Sequence, residues 1–356
     1  MQSASTGWEE VSSLFPYPEG WYFVASRESI LKDKLMAKSW LGMNIVAWCD
    51  GDGRVCVAEA VCPHMGADLR PAGGGTVRNG CLVCPFHGFE FDATGQCVAT
   101  PHAPAPGAAR LRVFETREVL GLVFGWWGIN GRGVQWNLPE SPPTGADWSD
   151  MAFHRFQFAS HPQETAENSV DLAHLLDVHG YDNVTPVGTV SVNGAYLKSC
   201  FDFKRRRRIA GLFDVEFSVS AVTHVHGFGF SFVEIREHSI GMDARLWVLS
   251  VPINPTEIEL TLVSQIRDFP KPRRFIVGLG FVPMRLRTRL MNGIMIRAQK
   301  RDVDQDVIIW ERKKFLSRPR LSRADSEIAL YRRYCKQFYG DEGDHAGRDL
   351  RHLRSV

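Results

Sequence analysis

The chain has 356 residues, long enough for two domains, and its 44% apolar and 23% charged residues are the usage of a folded globular protein. A net charge of +2 provides no global basic field for nucleic acid. No apolar run of about 18 residues suggests a membrane-spanning helix. The N-terminus lacks a basic stretch followed by an apolar core, so no secretory signal is expected. The eight cysteines are therefore expected as reduced thiols or metal ligands, in the cytoplasm.

In chain order, residues 1–15 are polar and read as loose. From Gly20 to about Trp127 short β segments alternate with Gly, Asp and Asn, as in Trp21-Tyr-Phe-Val-Ala, Asn44-Ile-Val-Ala-Trp, Val55-Cys-Val-Ala and Gly121-Leu-Val-Phe-Gly-Trp-Trp. This spacing predicts a compact all-β domain over 16–137. The breaker-rich stretch Leu138-Pro-Glu-Ser-Pro-Pro-Thr-Gly-Ala-Asp147 reads as the linker opening a second domain, 138–340. There, Glu164 to Val178 predicts a helix that stops near Gly180. Strands are expected around 196–204, 215–226, 228–237, 244–251 and 257–267. A helical region follows over 272–313, then a short helix from Ser326 to Phe338. The charged tail, 341–356, is expected to be unstructured.

Two constellations carry chemistry. Cys62-Pro-His64 and, after 19 residues, Cys84-Pro-Phe-His87 each present a thiolate and an imidazole from one proline-stiffened loop. Two histidines replacing two cysteines on one iron of a [2Fe–2S] cluster lessen its negative charge. Its potential then rises to roughly −150 to +300 mV, and it can relay single electrons. The alternative is a Cys₂His₂ zinc site, but zinc fingers group cysteines and histidines separately. Cys49, Cys56, Cys81 and Cys97 lie in or beside apolar strands and read as small buried hydrophobes.

The second constellation is Glu167-Asn-Ser-Val-Asp-Leu-Ala-His-Leu-Leu-Asp-Val-His179-Gly. Two histidines and a carboxylate on one face of iron(II) leave positions open for O₂. A five-residue step is about 500° of helix rotation, some 140° past a full turn. His174 and His179 thus converge only if the helix distorts or His179 lies just past its end, before Gly180. A carboxylate must come from elsewhere, and Arg301-Asp-Val-Asp-Gln-Asp-Val-Ile-Ile-Trp310 offers Asp302, Asp304 and Asp306. On a helix Asp306 has Val303, Val307, Ile309 and Trp310 around it and faces inward, whereas Asp304 follows Lys300 and Arg301 and faces water. Asp306 is the candidate and Asp304 the reserve. A core histidine pair and a surface Asp171 are the plain alternatives.

Cys62-Pro-His-Met-Gly-Ala-Asp-Leu69 and Cys84-Pro-Phe-His-Gly-Phe-Glu-Phe-Asp92 resemble the two ligand loops of Rieske oxygenase α-subunits, nearly position by position. Gln305-Asp-Val-Ile-Ile-Trp310 resembles the family stretch that supplies the carboxylate ligand, which agrees with Asp306. With Tyr331-Arg-Arg-Tyr-Cys-Lys-Gln-Phe-Tyr339, it is most similar to steroid- and sterol-acting members. These include 3-ketosteroid 9α-hydroxylase oxygenase components and Neverland-type cholesterol 7-desaturases. The resemblance runs from about Gly20 to Tyr339.

It implies an α+β chain: an all-β Rieske domain, then a catalytic domain with a curved antiparallel sheet flanked by helices, of the helix-grip, START-like kind. It implies one [2Fe–2S] cluster on Cys62, His64, Cys84 and His87, and one mononuclear Fe(II) on His174, His179 and Asp306. Electrons are expected from NAD(P)H through a separate ferredoxin or flavin-containing reductase. The reaction is expected to be O₂-dependent hydroxylation or desaturation of an apolar polycyclic, a sterol or steroid. The alternative is a natural-product tailoring or aromatic-compound oxygenase. In the family the aspartate at Asp171 bridges an iron-ligand histidine to a Rieske histidine of the neighbouring subunit in a homotrimer, and Asn168 is another motif position near the iron. A Rieske electron carrier without oxygenase activity would end near residue 130 and lack the second histidine motif.

Three further features have plain readings. His224-Val-His226 reads as two polar residues on one sheet face, with a place in the substrate cavity as the alternative. Lys204 to Arg208 reads as a solvated loop, with docking of an acidic redox partner second. Arg273 to Arg297, where arginines interleave with apolar residues, reads as a core helix, with peripheral membrane contact as the alternative.

Overall fold

The structure is a computed structural model, and it describes residues 14–209, 213–268 and 281–340. Up to Trp127 the described residues carry eleven short strands. They are β1 (Gly20–Ser26), β2 (Leu35–Trp40), β3 (Met43–Cys49), β4 (Val55–Glu59), β5 (Thr76–Arg78), β6 (Cys81–Val83), β7 (Glu90–Phe91), β8 (Cys97–Ala99), β9 (Val113–Phe114), β10 (Thr116–Val119) and β11 (Leu122–Trp127). One helix, α1 (Arg27–Asp33), interrupts them. They form three antiparallel sheets, ordered β1-β11-β10, β2-β3-β4-β9 and β5-β6-β7-β8. β1 and β11 are buried nearly throughout, which accounts for their unbroken apolar spelling in place of alternation.

Beyond Trp127 the chain builds one eight-stranded antiparallel sheet. Its strands are β12 (Ala152–Ala159), β13 (Asp182–Pro186), β14 (Ser191–Asn193), β15 (Tyr196–Ile209), β16 (Phe213–His226), β17 (Ser231–Glu237), β18 (Met242–Pro252) and β19 (Glu257–Ile266). The order is β12-β19-β18-β17-β16-β15-β13, with β14 beside β15. Among the described residues four helices accompany it: α2 (Pro162–Glu167), α3 (Ala173–Asp177), α4 (Met284–Trp310) and α5 (Ser326–Cys335). The five strands expected between 196 and 267 are all present, longer or shorter by a few residues.

Because side chains alternate across a strand, the large sheet has two working faces. On one, Phe232, Trp247, Leu249, Val251 and Val263 pack with Trp21, Phe23, Trp40 and Phe124 in a core shared with the first sheets. Lys38 of β2 also reaches Glu259 of β19 at 2.7 Å. On the other face, Val248, Ile258, Leu260 and Leu262 meet Val303, Val307 and Trp310 of α4.

Three expectations need correction. The helix expected over Glu164–Val178 is two short helices, because the chain turns at Asn168–Leu172 and the Asp171 carboxylate accepts from the Ala173 and His174 amides at 3.1 and 3.3 Å. The basic block from Lys204 lies in β15 rather than in a loop. Lys204 and Arg206 face outward to Glu216, while Arg205 turns inward. The helical region expected from 272 begins, among the described residues, at Met284; its first part and the 341–356 tail lie outside them.

Candidate metal centres

The two cysteine loops share one backbone plan. Cys62 N–H donates to Ala67 O at 2.9 Å, and Gly66 N–H to Cys62 O at 2.9 Å. Likewise Cys84 N–H donates to Phe89 O at 2.8 Å, and Gly88 N–H to Cys84 O at 3.0 Å. Both glycines sit in the left-handed region, at φ 76° and 66°, where a side chain would be strained. The loops differ in placing histidine two residues after the first cysteine and three after the second.

The His64 and His87 rings lie 4.9 Å apart between centroids, and Phe89 stacks on His64 at 4.3 Å. His87 Nδ1 is buried without a hydrogen-bond partner among the described residues, as suits a nitrogen whose lone pair faces a metal. The Cys62 and Cys84 thiols are buried and in contact. Burial pushes the Cys62 thiol up to about 11, a cost that the charge of a bound cluster would offset. Two thiols and two imidazoles on paired loops fit a Rieske cluster. Around them, Val61, Met65 (66% exposed) and Phe86 (60% exposed) present apolar side chains to solvent.

The second site is assembled from distant pieces. α3 carries His174; the helix stops at Asp177, and Gly180 at φ 62° lets the chain turn back. His179 therefore lies past the helix end, and its ring comes within 5.2 Å of the His174 ring, centroid to centroid. Asp306, 6% exposed on α4, completes the group: the ligand atoms of His174, His179 and Asp306 all lie within 4.8 Å of one another. Asp304 points outward, its side chain 47% exposed and paired with Lys300. Three converging donors, two imidazoles and a carboxylate, fit a mononuclear iron with open positions.

Contacts behind the donors set their tautomers. His179 Nδ1–H donates to Gln305 Oε1 at 2.9 Å, so Nε2 carries the lone pair; that atom lies 3.4 Å from Asp306 Oδ2. Burial lowers the His179 pKa, but in the protonated ring Nε2–H would donate to Asp306 as Nδ1–H does to Gln305, and these bonds outweigh burial and raise it; a metal at Nε2 would take the place of that proton. His174 Nδ1 bonds the Asp171 carbonyl, while the Asp171 carboxylate stays 4.0 Å away and caps α3. The contact that orients His174 is thus backbone rather than carboxylate. Burial keeps His174 below its ordinary pKa despite the nearby Asp306 and Asp171.

One turn before Asp306, Asp302 is buried and accepts from Tyr181 Oη at 3.0 Å and from Arg205. Arg205 Nη1 also donates to Tyr181 Oη at 2.8 Å. A second charged group holds α2. Lys313 meets Glu164 and Glu167 at 2.9 and 2.8 Å, Arg332 of α5 meets Glu167 at 2.9 Å, and Tyr331 Oη donates to the Gln163 carbonyl at 2.8 Å. The Tyr331–Tyr339 stretch thus clamps the helix that leads to Asn168.

The triad opens into a cleft of about 1000 Å³ between the sheet and α4. Its walls are mostly apolar, with Phe201, Phe203, Val233, Leu246 and Trp310 among them. Asn168 lines it too, with no side-chain hydrogen bond among the described residues. The structure brings His174, His179 and Asp306 together, sets the Cys62 thiol against Cys84 and the His64 ring against His87, and leaves Asp304 outside. Sequence reading missed Gln305, Tyr181, Asp302 and Arg205 as the polar frame of the second site. Nothing in the basic run Lys204–Arg208 marks Arg205 as the residue that turns inward. His224 and His226 lie on the sheet face away from this cleft.

Comparison with known proteins places this chain in a family. Residues 20–115 match the Rieske [2Fe-2S] domain, and residues 125–339 match the 3-ketosteroid 9α-hydroxylase C-terminal domain. Cholesterol 7-desaturase nvd of Bombyx mori is 27% identical over 340 residues, spanning 92% of this chain and 70% of its own. A probable 3-ketosteroid-9-alpha-monooxygenase oxygenase component of Rhodococcus rhodochrous is 25% identical over 342 residues, spanning 92% and 81%. Dicamba monooxygenase bound to dicamba matches in structure with TM-score 0.67 at 18% identity, over 90% of this chain and 96% of that one. NdmA of Pseudomonas putida CBB5, a QL mutant with caffeine, matches at TM-score 0.64 and 17% identity, over 89% of each chain. At these identities the solved structures speak for the fold. A Rieske [2Fe–2S] domain followed by the 3-ketosteroid 9α-hydroxylase C-terminal domain makes this chain a member of that branch of the Rieske non-haem iron oxygenases.

Proposed function

We propose that this chain is a terminal oxygenase that hydroxylates or desaturates an apolar polycyclic, a sterol or steroid. The observation that carries the reading is the His174–His179–Asp306 group at the floor of an apolar cleft. Relatives named for cholesterol and 3-ketosteroids support the substrate class. In this reading Cys62, His64, Cys84 and His87 hold the [2Fe–2S] cluster, and His174, His179 and Asp306 hold iron(II). When bound, the cluster supplies single electrons and the iron supplies oxygen activation at open coordination positions.

The chain's own residues do the positioning. Gln305 and the Asp171 carbonyl turn the Nε2 atoms of His179 and His174 toward Asp306. The cleft walls exclude water and hold an apolar ring system, and Asn168 offers an amide to the bound molecule. Electrons come from NAD(P)H through a ferredoxin or flavin-containing reductase. The exposed apolar rim of Val61, Met65 and Phe86, and Leu176 beside the Asp171 region, support a head-to-tail ring of three in which one chain's cluster loops dock near the next chain's Asp171. We place the chain in the cytoplasm. On α4, exposed Leu286, Leu290 and Ile294 lie among exposed Arg289 and Arg297, which supports contact with a membrane surface as a source of apolar substrate.

Holoprotein with a surrogate reductase pair, given sterols, ketosteroids and polycyclic aromatics, tests the reading. Mass spectrometry is expected to show a sterol or steroid gaining one oxygen or losing two hydrogens. Turnover of a small charged aromatic acid, and of no sterol or steroid, contradicts it. For the ring, mixed oligomers of Cys84→Ser and His174→Ala are expected to recover part of the activity that each variant lacks. Folded, well-mixed oligomers with none place both centres' transfer within one chain.

A further inference from the structure

The eight-stranded sheet carries a cavity on each face. The cleft already described takes the face of Thr223, Val233 and Leu246. On the other face, where the alternate residues His224, Phe232, Glu234 and Trp247 project, lies a second half-open cavity of about 770 Å³. The sheet forms its floor, and Val119 of β10 with Pro139, Glu140 and Pro142 closes its sides.

Its polar groups are unevenly satisfied. His224 is fully engaged, bonding Tyr196 Oη at 2.7 Å and Glu234 at 3.2 Å. Its neighbour His226 makes no side-chain hydrogen bond among the described residues, although it stands between the Tyr196 and Phe230 rings at 4.7 and 5.5 Å. Burial lowers the His226 pKa to about 4, so its imidazole is neutral near pH 7 and both donates and accepts. The Glu234 carboxyl is held low first by its hydrogen bond to His224 and then by Arg245 and Lys198, and Glu140 is exposed at the mouth. Flat aromatic walls and a neutral imidazole without a partner among the described residues favour a neutral molecule with rings and an oxygen acceptor.

We propose that this cavity is a second, non-catalytic binding site for an uncharged ring compound carrying a keto or hydroxyl oxygen. The rings lie against Phe230, Phe232 and Tyr196, and the oxygen bonds His226. The proposal stands on the cavity and not on the substrate reading, and the experiment separates the two.

Holoprotein is irradiated with an uncharged ketosteroid bearing an alkyl diazirine, with and without progesterone as competitor, and labelled residues are mapped by peptide mass spectrometry. Label is expected on Glu234 and on the 139–142 segment, displaced by progesterone. It should fall about tenfold in His226→Phe, which loses the hydrogen bond, and in Glu140→Trp, which caps the mouth. Label on 299–310, which lines only the catalytic cleft, should persist in both variants, and both should retain turnover. Label confined to 299–310, no label at all, or 139–142 label that neither progesterone nor either variant reduces overturns the proposal. Label at 139–142 with none at 299–310 supports this site and counts against the steroid substrate.

Discussion

The cluster loops keep their shape through their own backbones: in each, a cysteine amide and a glycine amide close a short ring of hydrogen bonds within six residues. The His174–His179–Asp306 site has no such local frame. A broken helix supplies two donors, a long helix more than 120 residues later supplies the third, and Gln305, Tyr181, Arg205 and Asp302 hold them together. A self-framed loop tolerates exposure, so the first site can sit at the surface among Met65 and Phe86 and meet a partner. A site assembled from remote elements depends on buried packing and paired charge. Its chemistry and the stability of its domain are therefore linked.

The largest effect separates the two sites outright. Cys84→Ser is expected to remove the visible absorption of a Rieske centre and abolish turnover, while an iron retained at His174, His179 and Asp306 remains measurable. Loss of all iron in a folded variant would mean that the sites are not independent. Next comes the link between frame and fold. Arg205→Met breaks the buried ion pair with Asp302 and should cost about 3–5 kcal/mol of stability, read as a lowered denaturant midpoint. An unchanged midpoint would place Arg205 outside the frame. The smallest effect tests orientation alone: Gln305→Leu frees His179 Nδ1 and should lower iron affinity or activity by about 10–100-fold, with the cluster absorption unchanged. A variant that binds iron and turns over as well as the unaltered chain removes Gln305 from the account.

The same contrast explains what sequence could show. The cluster loops were legible because all their determinants lie within a few residues: cysteine, proline, histidine, and glycine four positions after the cysteine. Asp306 was legible from helical neighbours, since Val303 and Trp310 mark the buried face of α4. The break between α2 and α3 was not, because Asn168–Leu172 contains no proline or glycine and is held by a carboxylate cap and by Ser199 Oγ donating to the Ser169 carbonyl at 2.6 Å. Nor was the role of Arg205 legible inside a run of five basic residues. Strand register alone turns it toward Asp302 and leaves Lys204 and Arg206 outside.

The central claim is that the carboxylate of Asp306, and not that of Asp304, completes an iron site separate from the cluster. Iron and acid-labile sulfide counted on purified Asp306→Ala and Asp304→Ala test it most directly. Asp306→Ala should fall from about three irons per chain to about two, with two sulfides and an intact Rieske spectrum, and should lose turnover. Asp304→Ala should keep all three irons and its activity. Three irons and full turnover in Asp306→Ala, or loss of both in Asp304→Ala, would contradict the account.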